Sequence, residues 1–173
     1  YTVNASDLSG AVTFTVDASD NAGNNAIQAT STTNSSTMTR LGPFFTLIDI
    51  SSNNSIKTNN ATTNDIVSLN INASETINQP YVVFQSGGSP INNSIVYSGS
   101  GKSWNAQYTV DASDSIGAIT FTLDASDNNL GEIIPQATAT TNSSLMKKID
   151  TISYNAVIKS STTNLQVGTH TEG

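Results

Sequence analysis

The sequence of 173 residues contains no cysteine and a single histidine, His170. These shortages exclude a fold that is cross-linked by disulfides and a zinc site built from cysteine and histidine. Charge is also sparse, because only 11% of the residues are Asp, Glu, Lys or Arg and the net charge is −7. A chain with six basic residues lacks the positive surface of a nucleic-acid binder, so we expect no nucleic-acid partner. No run of about 18 apolar residues is present, and we expect no membrane span.

Small hydrogen-bonding side chains dominate the composition. The chain has 24 Thr, 25 Ser and 21 Asn, which together make 70 of its 173 residues. Net charge is too low, and β-branched residues are too frequent, for disorder driven by charge repulsion. Thr, Val and Ile fit the pleated surface of a strand. The composition therefore predicts an all-β protein.

An internal repeat organises the chain. Residues 1–20 and 108–127 are identical at 15 of 20 positions, at an offset of 107. Farther on, QATSTTNSSTM at 28–38 matches QATATTNSSLM at 136–146 at an offset of 108, so one residue is inserted between the two matches. A fixed period of this kind is typical of repeated structural units. We expect tandem modules of about 108 residues.

The period divides the chain into three expected parts. Residues 1–43 form the C-terminal part of one module, residues 44–150 a complete module, and residues 151–173 the N-terminal part of the next. The two truncated modules do not add up to one, because the equivalent of residues 66–107 is missing from their sum. We therefore expect this sequence to be a window on a longer tandem array.

Seven strands are predicted in the complete module from short runs of alternating apolar and polar residues. Alternation is clearest at Val67, Leu69 and Ile71, as expected for an antiparallel sheet with one buried face. Seven short strands in about 105 residues favour an immunoglobulin-like β-sandwich, with Trp104 and Tyr108 in its core. The predicted strands are Phe44–Ser51, Ile66–Ala73, Tyr81–Gln85, Ser94–Ser98, Lys102–Val110, Ala118–Ala125 and Gln136–Thr141.

Four segments have a recognisable pattern: DIVSLNINASETI at 65–77, GKSWNAQYTV at 101–110, GAITFTLDASDN at 117–128 and DASDNAGN at 17–24. Together they resemble the bacterial and archaeal Ig-like repeats of large cell-surface proteins, adhesins and extracellular filaments. The resemblance implies tandem Ig-like sandwiches that serve as spacers, stalks, S-layer components or filament subunits. Residues 127–132, DNNLGE, depart from the pattern, because they add a residue and lose the Ala-Gly-Asn ending.

Paired carboxylates recur in the pattern Asp-x-x-Asp, and they suggest calcium as the one candidate cofactor. Calcium takes about six to eight oxygen ligands, which Asp, Asn and loop carbonyls at module junctions can supply. The segment from Asp17 also resembles the Asp-rich junction motif of cadherins. The alternative is that these side chains cap turns through the backbone. The candidate ligands are Asp17, Asp20, Asn21, Asp111, Asp114, Asp124 and Asp127.

Seven Asn-x-Ser/Thr sequons make glycosylation a second hypothesis. Their number alone proves nothing, since the composition gives about six by chance. Asn34 and Asn142 are equivalent in the two copies, and Asn72 lies on the solvent side of its predicted strand. The alternative is a polar surface that stays soluble with little charge. The candidate sites are Asn4, Asn34, Asn53, Asn60, Asn72, Asn92 and Asn142.

The sequence lacks the residue sets typical of catalysis, and we expect no enzyme. The Asp pairs recur with the repeat, which a shared fold explains better than a unique active site. We expect a structural extracellular module of a long repetitive surface or filament-forming protein, acting as a spacer, stalk or fibre building block. The alternative is an adhesin module that binds a glycan or protein receptor through its loops, with DNNLGE and Gly87–Pro90 as the first candidates.

The expected partners follow from this interpretation. They are the neighbouring modules of the same chain, further copies that pair through exposed strand edges in a filament, and a glycan or cell-surface receptor. The expected location is extracellular, at the cell surface.

Overall fold

The computed structural model describes residues 1–4, 6–150, 152–156 and 168–172, the last two ranges as backbone strands. The described residues are all-β, as predicted, with fourteen strands and no helix among them. No helix in this part of the chain is therefore long and apolar enough to cross a membrane. The strands are β1 (Gly10–Val12), β2 (Met38–Arg40), β3 (Phe45–Ser52), β4 (Asn60–Ala61), β5 (Ile66–Ala73), β6 (Tyr81–Ser86), β7 (Ser89–Pro90), β8 (Val96–Ser100), β9 (Ser103–Thr109), β10 (Gly117–Ser126), β11 (Ile133–Ala137), β12 (Met146–Lys148), β13 (Ile152–Ala156) and β14 (Gly168–Glu172).

Residues 45–148, which we call the packed unit, form two sheets that share one core, an arrangement consistent with a β-sandwich. The first sheet has the order β3-β5-β9-β8 and is antiparallel throughout. The second has the order β4-β12-β10-β6-β7, and β11 also pairs with β10. Its pairs are antiparallel except for β4 with β12.

The core follows the predicted alternation. Val67, Leu69 and Ile71 of β5 are buried, while the polar residues between them face outward. The ring of Tyr108 packs on Phe84 of the opposite sheet, with ring centroids 4.9 Å apart. Each such side chain contributes about 1.5–3 kcal/mol when fully buried. The prediction that Tyr108 belongs to the core is confirmed, and Trp104 packs half-buried against the same cluster.

Six of the seven predicted strands are found within two residues of their predicted bounds, but the last prediction, Gln136–Thr141, is wrong. The strand β11 ends at Ala137, and the chain then crosses to the free edge of β3. There the Thr141 N–H donates to the Ile48 carbonyl over 2.9 Å, and the Ser144 hydroxyl accepts from the Ile50 N–H over 3.0 Å. Hydroxyl side chains thus bind the strand edge in place of a regular ladder.

The ends of the chain form two small sheets. The strands β1 and β2 pair antiparallel, as do β13 and β14, where His170 lies opposite Tyr154. The predicted start of a further module at residues 151–173 lies largely outside the described residues.

Candidate functional site: the junction between the two copies

The repeat in sequence is also a repeat in backbone pairing. We call residues 1–40 the first copy and residues 108–148 the second copy. Two residues that pair across strands in the first copy correspond, at an offset of 107 or 108, to two residues that pair in the second copy. The pairs Gly10–Arg40, Val12–Met38 and Val16–Ala29 correspond to Gly117–Lys148, Ile119–Met146 and Leu123–Ala137.

Side-chain hydrogen bonds recur in the same way. The Gln28 amide donates to Asp17 over 2.8 Å, and the equivalent Gln136 amide donates to Asp124 over 2.9 Å. Ser35 and its equivalent Ser143 both adopt the left-handed conformation, with φ of 59° and 60°. Local sequence therefore determines this geometry, whether or not the copy lies over a core.

Asp20 and Asp127, two of the candidate calcium ligands, organise equivalent turns. Asp20 accepts hydrogen bonds from the backbone of Ala22 and Asn24, both over 2.9 Å. Bonds from the Asn24 side chain and backbone hold the pKa of Asp20 below its usual value. Burial of Asp127 raises its pKa, but bonds from the backbone N–H groups of residues 129–132 lower it by more. Both carboxylates do what the turn-capping alternative predicts.

Asp111 and Asp114 form a turn with each other. The Asp111 backbone N–H donates to the Asp114 carboxylate over 2.9 Å, and Ser113 donates to the Asp111 carboxylate from both N–H and hydroxyl. The bonds from Ser113, its side chain first, lower the pKa of Asp111. Asn4 and Asp7 make the same turn in the first copy, with a bond of 2.7 Å from the Asn4 N–H.

The candidate calcium ligands are not gathered into one site. Among the described residues, no group of three or more His, Cys, Asp or Glu side chains is placed to hold a metal ion. Asn21 lies in the turn after Asp20 and is exposed. The buried Asp127 Oδ2 accepts no hydrogen bond, and Glu75, Arg40 and Lys102 line the same cleft, so its lining carries charges of both signs. Calcium stays a prediction.

The sequon asparagines lie in different environments. Asn4, Asn34, Asn53, Asn92 and Asn142 are exposed, and Asn72 faces outward from β5 but is half-buried. Asn60 is buried in β4, so that a glycan on it would displace packed structure. Asn34 and Asn142 each accept a 3.1 Å bond from the N–H group two residues on. Glycosylation stays a prediction at the exposed positions.

The described contact between the first copy and the packed unit centres on Arg40, the single arginine of the sequence. Its guanidinium lies 3.1 Å from the Glu132 carboxylate and 3.5 Å from that of Glu75. The other Glu132 oxygen accepts the Ser9 backbone N–H over 2.6 Å. The Arg40 and Glu132 side chains are only 8% and 12% exposed. One carboxylate thus binds both Arg40 at the end of β2 and the residue that precedes β1.

Glu132 reaches this position because of the DNNLGE departure from the repeat. Asp127 shapes the loop by accepting the N–H groups of Leu130 and Gly131, each over 2.7 Å. Asn24 occupies the equivalent position in the first copy, so the carboxylate is specific to the packed unit. The Ser9 hydrogen bond, followed by Arg40, holds the pKa of Glu132 below its usual value. Glu132 is therefore charged near neutral pH.

The connection between the first copy and the packed unit is short and fixed at both ends. Pro43 is buried and restricts the backbone. The Phe44 N–H donates to the Ser74 hydroxyl over 3.1 Å, and the Ser74 N–H donates back to the Phe44 carbonyl over 2.8 Å. A Cβ on Gly42 would lie 3.2 Å from the Ser9 side chain, so the linker passes close to the first copy. The junction therefore holds the first copy against the packed unit through the linker as well as through Glu132.

Lys148, the equivalent of Arg40, has a different role. It is buried, and its Nζ donates to the carbonyls of Asp111, Asp114 and Ala112 over 2.9, 2.6 and 3.2 Å. Lys148 thus closes the Asp111–Asp114 turn inside the packed unit.

Sequence reasoning missed the junction. Its signals were the single arginine at the end of one copy and the extra glutamate in the divergent loop, but their separation of 92 residues gave no reason to pair them. No protein-family model matches the chain, and none of the curated proteins is significantly similar to it in sequence.

Proposed function

We propose that this chain is a structural, non-enzymatic part of a long repetitive extracellular protein, in which successive Ig-like modules span distance as a stalk or as a building block of a fibre. The recurrence of backbone pairing and capping bonds in the two copies supports a repeated unit. The extracellular location rests on the resemblance of the strand motifs to surface repeats.

The observation that carries the proposal is the junction at Glu132. A spacer must transmit position from one unit to the next, and the units of a chain move independently unless they share a specific contact. Here two ion pairs and the Ser9 hydrogen bond join the first copy to the packed unit, beside a linker stiffened by Pro43. A contact of this kind holds neighbouring units in a fixed relative position, as a load-bearing or distance-setting chain requires.

The experiment is to locate and measure the parent protein. Antibodies against the packed unit should label intact, unpermeabilised cells, and electron microscopy should show a thread whose length falls in proportion when repeats are deleted. Labelling only after permeabilisation, or a length independent of the repeat number, would contradict the proposal.

The adhesin alternative draws little support from its two candidate loops. The DNNLGE loop places Glu132 on the first copy, so one of its side chains is already occupied. The Gly87–Pro90 loop is a tight turn between β6 and β7, in which a Cβ on Gly87 would lie 2.5 Å from the Ile116 carbonyl oxygen. Residues 87–90 and 128–131 are nevertheless exposed, so receptor binding stays the alternative.

A further inference from the structure

The first copy exposes the surface that the second copy buries. Its apolar residues Val12, Phe14, Val16 and Met38, which we call the open face, are 40%, 42%, 53% and 67% exposed. Their equivalents Ile119, Phe121, Leu123 and Met146 are 5%, 6%, 0% and 3% exposed. The residue types are nearly the same, so the difference in burial comes from the surroundings of each copy.

A strand edge beside the open face is also unpaired. In the second copy, residues 119–124 pair with β6 along its whole length, from Ile119 opposite Ser86 to Asp124 opposite Tyr81. The equivalent residues 12–17 have no partner strand on that side among the described residues, and only Val12 of them lies in a strand, because β1 ends there. The unpaired edge of β1 is a template for a further strand, which would extend it as β6 pairs with β10 in the second copy.

A polar loop provides a third matching feature. In the second copy, Thr141, Asn142 and Ser144 bind the edge of β3, and the Asn142 amide donates to Asp49 over 2.7 Å. Thr33, Asn34 and Ser36 stand at the same positions of the first copy. Their loop has the same internal bond, from the Thr32 hydroxyl to the Ser36 carbonyl over 2.9 Å, as Thr140 makes to Ser144.

We propose that the first copy is a strand acceptor, whose open face, edge and loop bind a set of strands of the type formed by residues 44–107. The second copy defines the register: a β6-type strand pairs with residues 12–17, and a β3-type strand meets the loop at 33–36. The ligand is thus a polypeptide with alternating apolar residues, as in Val82 and Phe84, and with a free β3-type edge.

One strand set cannot fill both copies. The described residues contain one set, β3 to β9, and the second copy already covers it. Exchange of strands between chains would leave one acceptor open per chain. Packing of two open faces against each other would leave the strand edge unpaired and the loop without a strand. The acceptor therefore calls for a second strand set.

The test uses the full chain with a separate polypeptide of residues 44–107 as the probe, refolded together and analysed by sedimentation. We expect a one-to-one complex, with the mass of the chain raised by that of one probe. The variant Phe14→Asp places a charge on the open face and should abolish the complex. The control Ile27→Asp should bind as the unmodified chain does, because Ile27 is 97% exposed and lies outside the face.

Three results would overturn the proposal. They are a failure of the probe to bind, a complex that survives in Phe14→Asp, and a homodimer of the chain that forms without the probe and is lost in Phe14→Asp. The last would show that a second open face covers the first. The outcome does not depend on where the parent protein is located, so the acceptor and the proposed function can fail separately.

Discussion

The first and second copies have nearly the same sequence and the same local hydrogen bonds, but opposite burial. Tyr108 is buried against Phe84, whereas its equivalent Tyr1 is 91% exposed and bonds to Asp7. The comparison separates the effect of local sequence from the effect of packing, which usually occur together. Turn residues and strand pairing follow from local sequence, while burial follows from the strands that lie opposite.

The largest expected difference concerns one phenylalanine in each copy. Phe121→Ala should lower the free energy of unfolding of the packed unit by about 3–5 kcal/mol, because it removes a buried ring. Phe14→Ala should change that free energy by less than about 0.5 kcal/mol, because Phe14 contributes to no closed core. Urea unfolding followed by the fluorescence of Trp104, the single tryptophan, measures both. Similar losses in the two variants would refute the difference between the copies.

The two equivalent basic residues give the next comparison. Lys148→Met leaves three carbonyls without their donor and should lower the free energy of unfolding by about 1–3 kcal/mol. Arg40→Met removes contacts outside the core and should move the urea midpoint much less. The same Trp104 assay reports on both variants. A larger effect at Arg40 would mean that the junction, and not the Asp111–Asp114 turn, stabilises the packed unit.

The equivalent turn aspartates should differ in their response to acid. The pKa of folded Asp127 lies below its usual value of 3.8, so its stabilising effect is complete above that value and is lost as the pH falls through the folded pKa. The free energy of unfolding of Asp127→Asn should therefore fall less steeply as the pH is lowered. Asp20→Asn serves as the control: the pKa of Asp20 is also lowered, but Asp20 lies outside the packed unit, so the substitution should leave the acid dependence read from Trp104 unchanged.

The smallest expected effect is on the angle between the first copy and the packed unit. The absence of cysteine allows spin labels at Ser31→Cys and Ser98→Cys, and their distance distribution should be narrow. Glu132→Gln should broaden it, as should acid that protonates Glu132 below its usual pKa of 4.5. Added salt should broaden it less, because the Arg40 pair is partly buried. Glu75→Gln is the matched control, with a longer ion pair and a weaker effect.

Much of the fold could be predicted from sequence because its signals are local. Alternation at Val67, Leu69 and Ile71 predicted the bounds of β5 and its buried face. The repeat predicted that residues 1–40 would resemble residues 108–148. The bounds of β11 were missed because the Thr-rich segment after Ala137 has strand propensity but binds the edge of β3 with its hydroxyls. The junction was missed because Ser9, Arg40 and Glu132 meet only after folding.

Hydrogen exchange at equivalent amides tests the central comparison most directly. The amides of residues 119–123 should exchange only when the packed unit opens, since they lie in a paired strand over the core. The amides of residues 12–16 should exchange orders of magnitude faster in the same sample. Equal protection in the two strands would contradict the account, because it would show that the first copy is covered as fully as the second.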